Sequence, residues 1–323
     1  MISADSQTLL LLCSQLGLPS EPEFLPLTLR EWNPLARKLQ SANLRPGILL
    51  DWNASDLQTQ LAIPSKEAVR LAQLLERSGT LAIALERLSN LGIHALTRAD
   101  KDYPEKYRAR LKESAPAVLF YAGERALLGQ PGIAVVGSRH LDEAGQECAR
   151  FVGNASGISG QVLYSGGAKG VDTLSMESAL EARGTAVGVL ANSLEQSVKK
   201  YRDALARGDL CLVTPYHPNA GFSVGAAMGR NRLIYTLADY AIVVASDVES
   251  GGTWAGATES LKNNWIPVFV LEHDAMPEGN KLLLQKGALP FPHPFHEPPV
   301  KLPDWIKEQS AGFLSQPSQP SLF

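Results

Sequence analysis

Cysteine is scarce in this sequence, and long apolar runs are missing from it. The 323 residues include three cysteines, Cys13, Cys148 and Cys211. They lie far apart and form no CxxC pair, which excludes a disulfide framework and suits a reducing cytoplasm. No apolar run approaches the ~18 residues that cross a bilayer, and the short run Leu9–Cys13 has no basic flank, which argues against a signal peptide. We therefore expect a cytoplasmic protein without a membrane span.

Positive charge is also in short supply, because the net charge is −3 at pH 7. A protein that coats nucleic acid by bulk attraction is usually basic, so any nucleic-acid site here must be local. The composition, with 45% hydrophobic and 20% charged residues, is that of an ordinary globular chain and excludes a disordered or fibrous one. The length exceeds the ~250–300 residues at which single cores stop growing, so we expect one large domain and one smaller domain.

Helical patterns dominate the first 88 residues. Apolar spacing predicts helices at Asp5–Leu18, Ser65–Ser78 and Leu81–Leu88, and prolines divide the region into short pieces. We predict a small helical domain over residues 1–88.

Between residues 89 and 288, apolar strands alternate with helical stretches. Strands are predicted at Gly92–Leu96, Val118–Tyr121, Ile133–Val136, Val162–Tyr164, Ala186–Leu190, Leu210–Val213, Ala241–Ala245 and Val268–Leu271. Helices are predicted at Asp142–Val152, Val171–Ala182, Leu194–Ala206, Ala226–Leu237 and Thr253–Lys262. Near-continuous apolar strands separated by helices indicate a mostly parallel sheet covered on both faces, so the predicted fold class is a doubly wound α/β fold with a small N-terminal helical domain.

Proline is concentrated in the last part of the chain, residues 289–323, which holds eight of the 21 prolines. Proline removes a backbone donor and breaks helices. We therefore predict an extended proline-rich tail that adds no strand to the sheet, with one helical turn around Trp305.

Turns rich in glycine and hydroxyl groups follow several predicted strands, where ligands of doubly wound folds bind. Gly137-Ser138-Arg139-His140 offers backbone N–H groups, a hydroxyl and a fixed cation to a phosphate. Taken alone, it reads equally well as a turn with a surface arginine. The segment Ser165–Asp172 has three glycines in five positions and Lys169, but matches neither Walker A nor GxGxxG spacing. Asp172 is as readily a helix-start carboxylate as a functional group.

Two further segments complete this pattern. In Gly229-Arg230-Asn231-Arg232 the two arginines point about 200° apart on a helix, so at most one faces a ligand, while the other braces a carboxylate such as Asp239 or supports the loop. Ser250-Gly251-Gly252-Thr253 again enters a helix. Several such turns at the strand ends of one sheet indicate a site that binds several phosphates.

Metal and nucleophile chemistry are weakly supported. His273, His293 and His296 have no cysteine nearby, and two of them lie in the proline-rich tail, so we predict no metal site and no cofactor. Ser223 falls within a GxSxG string, but a loop rather than a strand precedes it, which argues against a nucleophile.

Together and in this order, these segments resemble the DNA-processing protein A family (DprA/Smf). The resemblance runs from about residue 91 to 288 and also includes Asp102-Tyr103-Pro104, Ala115–Phe120 and Gly279–Ala288. It implies a Rossmann-like domain that binds single-stranded DNA in a positive pocket and helps to load a RecA-type recombinase in DNA uptake or recombination, notably natural transformation. It also implies a homodimer without enzymatic activity. The DNA- and phosphate-binding residues that it implies are Gly137, Ser138, Arg139, Ser165, Gly166, Gly167, Ala168, Lys169, Asn231, Arg232, Ser250, Gly251, Gly252 and Thr253.

Three departures from the family pattern indicate a divergent branch. Met176 stands where many members have a histidine, and the segment Ala191-Asn192-Ser193-Leu194 lacks the usual cysteine-glycine pattern. A proline-rich tail replaces the winged-helix domain that many members carry. A role in defence or in mobile elements is therefore left open beside transformation.

Two other functions compete with strand binding. Lysine-decarboxylase-like phosphoribohydrolases use a Pro-Gly-Gly-x-Gly-Thr-x-x-Glu turn whose glutamate does the chemistry. Here Gly256 occupies the glutamate position, and Glu259 follows nearly one helical turn later. A sensor that binds a free nucleotide through the same turns is the second alternative.

Overall fold

The computed structural model describes residues 2–314, and these fold as two compact units. The first unit comprises Met1–Ala122 and Pro215–Asn219, and the second comprises Gly123–Thr214 and Ala220–Phe323. The first unit runs past residue 88, the predicted end of the helical domain, because it also contains a pair of antiparallel strands. Among residues 2–314, none of the helices is long and apolar enough to cross a membrane.

The first unit consists of helices and one pair of antiparallel strands, with α6 between the two strands in the chain. Its helices are α1 Ala4–Cys13, α2 Leu29–Ser41, α3 Ala54–Leu61, α4 Ser65–Leu75, α5 Ser78–Asn90 and α6 Glu105–Leu111. Strands β1, Ile93–Thr97, and β2, Val118–Gly123, pair antiparallel. The predicted helices correspond to α1, α4 and α5.

Helices α2, α3 and α6 were not predicted from the sequence. Helix α2 contains Pro34, which we took as a break in the chain. It forms because Thr28 and Glu31 make a reciprocal capping box and because Trp32, Leu35 and Leu39 bury one face at helical spacing. Here the burial of a helical face outweighs the loss of one backbone donor.

The second unit contains a parallel seven-stranded sheet. Its strands are β3 Gly132–Val136, β4 Val162–Ser165, β5 Ala186–Val189, β6 Leu210–Thr214, β7 Tyr240–Val243, β8 Val268–Glu272 and β9 Leu289–Pro292. Their order is β6-β5-β4-β3-β7-β8-β9, and every neighbouring pair is parallel. The strand order reverses direction at β3 and β7, which makes the carboxyl ends of these two strands the switch point of the sheet.

The strands of this sheet are separated by helices. These are α7 Glu143–Ile158, α8 Val171–Glu181, α9 Leu194–Lys200, α10 Arg202–Arg207, α11 Val224–Leu237, α12 Gly251–Lys262 and α13 Glu278–Gln285. Helices α14 Leu302–Gln309 and α15 Ala311–Leu314 follow β9. Helix α7 packs on α8, and α11 packs on α12. The predicted doubly wound α/β fold is confirmed.

The expectation that the proline-rich tail adds no strand is wrong. Strand β9 pairs in parallel with β8 at the edge of the sheet, where a missing N–H is tolerated. Its prolines, Pro290 and Pro292, are exposed, and Phe291 between them is buried. Further along, Leu302 and Ile306 of α14 are fully buried. The tail packs on the core as far as the described residues extend; residues 315–323 lie outside them.

Candidate nucleic-acid interface

A cavity of about 570 Å³ lies at the switch point of the sheet. Nine of the predicted site residues line it: Gly137, Ser138, Arg139, Ala168, Asn231, Ser250, Gly251, Gly252 and Thr253. They come from the turn after β3, the turn after β4, helix α11 and the start of α12. The structure thus brings together four chain segments that are far apart in sequence.

The turn after β3 is held by hydrogen bonds that its backbone N–H groups donate. The N–H of Ser138 donates to the carbonyl of Ala245, 2.9 Å away, and the N–H of His140 donates to the hydroxyl of Ser138 at 3.2 Å. Gly137 has no room for a side chain, because a Cβ would overlap Val171. The side chain of Arg139 is exposed, and its guanidinium carbon lies over the ring of Phe222, 5.5 Å from the ring centroid. The turn therefore holds a cation at the mouth of the cavity.

The glycine-rich turn after β4 supports the first turn. Gly170 has a positive φ of 89°, and a Cβ there would meet the backbone of Ser138 and Arg139 at 2.7–2.9 Å. The hydroxyl of Ser165 is buried and donates to the carbonyl of Val135 at 2.6 Å. Ser165, Gly166 and Gly167 are therefore part of the scaffold beneath the cavity rather than of its lining.

Arg230 is the buried cation of the site. It is 5% exposed and lines the cavity, and its guanidinium donates to the carbonyls of Gly166 and Val189. It thereby ties the turn after β4 to the end of β5. Arg232, which the resemblance implies as a ligand-binding residue, is not among the residues that line this cavity.

The carboxylate of Asp172 and the guanidinium of Arg230 both lie next to Gly166. A Cβ on Gly166 would overlap both the Arg230 guanidinium and the Asp172 carboxylate, so only glycine fits there. Burial raises the pKa of Asp172 above its ordinary value, while the positive charge of Arg230 and the N–H of Ala168 act in the opposite direction. Burial is the stronger influence.

The start of α12 closes the opposite side of the cavity. Gly252 leaves room for the amide of Asn231, which sits where a Cβ would be. Ser250 makes no capping hydrogen bond with its side chain. The first backbone N–H groups of this helix are therefore available to an anion, and the helix dipole favours one there.

Sequence reasoning missed the apolar part of the cavity. Phe222, Val224 and Met228 line it, and they are 57%, 66% and 44% exposed. Their spacing along the chain carried no signal, because a loop precedes α11 and only the fold brings it over the turn after β3. Lys169 lies in an adjoining cavity instead. Among residues 2–314, no group of three histidine, cysteine, aspartate or glutamate side chains is arranged to hold a metal.

The chain belongs to a family of DNA recombination mediators: residues 94–294 match the family model of DNA recombination-mediator protein A. Its relatives include the DNA processing protein DprA of Streptococcus pneumoniae, 32% identical over 182 residues, and that of Bacillus subtilis, 24% identical over 273 residues. These matches cover 54% and 80% of this chain. The chain spans 63% of the length of the first relative and 85% of the second.

Solved structures of two relatives share the fold. The structure of DprA from Streptococcus pneumoniae is matched with a TM-score of 0.60 and 22% identity, over 83% of this chain and 95% of that one. DNA processing protein A from Helicobacter pylori, whose structure describes its single-stranded DNA binding mode, is matched with a TM-score of 0.55 and 23% identity. That match covers 67% of this chain and 96% of the other.

Proposed function

We propose that the chain binds single-stranded DNA in the cavity at the switch point of the sheet. The observation that carries this proposal is the pairing of Arg139 with the start of α12 around one cavity. Within residues 2–314, Arg139 forms no ion pair, so its charge is available to a phosphate. A guanidinium and free helix N–H groups are two independent recognition elements for phosphate oxygens.

The apolar side of the cavity supports a nucleotide chain rather than an inorganic anion. Phe222 offers a ring face next to Arg139, and Val224 and Met228 extend the apolar surface. Bases stack on aromatic side chains without regard to sequence, and each such contact contributes about 1–3 kcal/mol. The cavity thus offers separate surfaces to the phosphate and to the base.

Membership of the recombination-mediator family supports a role in handing the bound strand to a recombinase. We propose a RecA-type recombinase as the partner, a homodimer as the working form, and DNA uptake or recombination as the process. In this role the protein holds the strand and performs no chemistry on it. Light scattering of the purified protein, with and without an oligonucleotide, measures the proposed dimer.

We expect the protein to bind an oligothymidine at least on the order of tenfold more tightly than a duplex of equal length. A flexible single strand of DNA can bend into a cavity at the carboxyl ends of the β-strands, whereas a stiff duplex cannot. Fluorescence anisotropy at one fixed salt concentration measures both affinities. Equal affinity for the two forms would contradict strand binding in this cavity.

Arg139→Ala is expected to weaken strand binding by roughly fivefold at low salt. Loss of one phosphate contact should also reduce the slope of log affinity against log salt by about 0.7. The matched control is Arg207→Ala, which also removes one positive charge, from the last turn of α10. This turn directly precedes β6, so it lies at the amino ends of the strands, whereas the cavity lies at their carboxyl ends. Indistinguishable affinities of the two variants would remove Arg139 from the site.

A free-nucleotide sensor or a phosphoribohydrolase would give different results. Position 256 is a buried glycine beside Tyr235, and the carboxylates that line the cavity are Asp172 and Asp247. We expect nucleoside monophosphates, NAD and ATP to yield no free base after incubation with the protein. Base release that Asp172→Asn abolishes would favour the hydrolase, and tight binding of a mononucleotide without strand binding would favour the sensor.

A further inference from the structure

A second cavity adjoins the one at the switch point. Its volume is about 590 Å³, and Arg139 and His140 line both cavities. Its walls are formed by α7, through residues that include Arg150, and by α8, through residues that include Thr173. The two cavities therefore meet at Arg139, the cation already placed at the mouth of the first. We call the second cavity the α7/α8 groove.

The α7/α8 groove has an excess of positive charge. Arg139, Arg150, Lys169 and Lys200 line it, and of the residues that line it Glu177 is the one carboxylate. Glu177 lies 3.3 Å from Lys200, but both side chains are half-exposed, so this ion pair is weak and leaves Lys200 able to contact a phosphate. Within the described part of the chain, Arg150 and Lys169 form no ion pair, and both are exposed. Three cationic charges thus face the groove without an acidic partner.

The two cavities differ in how they would hold a phosphate. The first is built from turns with little freedom, which suits one tightly held group. The groove offers long, exposed side chains, which suit a backbone that passes along it. A mononucleotide seated in the first cavity has no further phosphate to place on Arg150 or Lys200, whereas a longer strand does.

We propose that single-stranded DNA leaves the first cavity across Arg139 and lays its neighbouring phosphates along the α7/α8 groove, on Arg150, Lys169 and Lys200. This inference rests on the proposed function and adds the path of the strand. Affinity then depends on strand length, and the groove, rather than the first cavity, separates a strand from a free nucleotide.

The test compares two oligothymidines, of about four and about twelve nucleotides, with the wild-type protein and two double variants. The first variant, Arg150→Gln with Lys200→Gln, neutralises two charges of the groove. The matched control, Arg207→Gln with Lys262→Gln, removes the same charges from the last turns of α10 and α12. These turns lie at the amino ends of the strands, away from the first cavity, because α10 directly precedes β6 and α12 leads from the cavity toward the start of β8.

We expect the groove variant to bind the longer oligonucleotide about fivefold more weakly. Its salt slope should fall by about 1.4, which corresponds to two lost contacts. The shorter oligonucleotide should bind all three proteins alike. Equal weakening for both lengths, or none for the longer one, overturns the proposed path while strand binding stands. If the wild-type protein binds neither oligonucleotide, the proposed function fails together with this inference.

Discussion

Replacement of Arg230 by glutamine is expected to lower the free energy of unfolding by about 3–5 kcal/mol at neutral pH. Arg230 is 5% exposed, and its positive charge acts on the buried carboxylate of Asp172. Glutamine removes that charge and leaves the carboxylate in place. Urea unfolding followed by circular dichroism measures the loss. Strand binding should fall with it, because Arg230 also holds the carbonyls of Gly166 and Val189.

This loss of stability is expected to depend on pH. Burial raises the pKa of Asp172, and Arg230 acts in the opposite direction, so the pKa rises further in the Arg230→Gln variant. A carboxyl group whose folded pKa exceeds its unfolded pKa binds more protons in the folded state. Its contribution to stability is present below the unfolded pKa and is lost as the pH rises toward the folded pKa. The difference in stability between wild type and variant should therefore be larger at about pH 8 than at about pH 5.

Two controls separate this explanation from a simple packing defect. Arg230→Gln combined with Asp172→Asn removes both charges, so its stability relative to wild type should vary less with pH than that of the single variant. Arg207→Gln changes a half-exposed arginine and should change the stability by less than about 1 kcal/mol. If Arg230→Gln lowers the free energy of unfolding equally at both pH values, Arg230 does not affect the pKa of Asp172.

Ile306→Ala is expected to destabilise the second unit by about 2–5 kcal/mol. Ile306 lies in α14 and is fully buried, although the sequence places it in a proline-rich tail. Its neighbour Trp305 contacts the rings of Phe269, Phe291 and Phe295, with centroids 5.1–5.7 Å apart. Truncation of Ile306 leaves a cavity on the buried side of α14. Thermal unfolding measures the effect as a fall in the melting temperature.

The matched control for this prediction is Ile158→Ala, in the last turn of α7 of the same unit. Ile158 is 53% exposed, so its truncation should cost less than about 1 kcal/mol. Similar melting temperatures for the two variants would show that α14 does not contribute to the folded core.

Strands β3 to β8 and the helices between them were predictable because each of these strands is a short apolar run buried on both faces. A parallel sheet with helices between its strands leaves this pattern in the sequence whatever its ligand. The tail was predicted wrongly for a related reason. Prolines argue against a central strand, but Pro290 and Pro292 lie on an edge strand whose register places Phe291 inside. Whether a strand lies at an edge is a property of the whole sheet, and local sequence does not contain it.

The candidate site was predictable in its turns but not in all of its side chains. The glycines of each turn mark places where the backbone approaches another group closely, as Gly166 and Gly170 do. The choice between Arg230 and Arg232 depends on how α11 is rotated against the sheet. Both arginines suit a phosphate equally well, so the sequence alone offered no basis for that choice. Phe222 reaches the cavity only because a loop crosses from β6 to α11, and that path is set by tertiary packing.

The convergence of distant segments on one cavity has a consequence for the order of folding during synthesis. The turn after β3 contributes Gly137, whereas the start of α12 contributes Thr253. A ribosome adds ~5–20 residues per second, so on the order of ten seconds separates the appearance of these two halves. A growing chain that ends before α12 has the cation of Arg139 but lacks the helix N–H groups opposite it. In the growing chain the cavity is therefore complete only after β7 has been inserted beside β3 and α12 has formed.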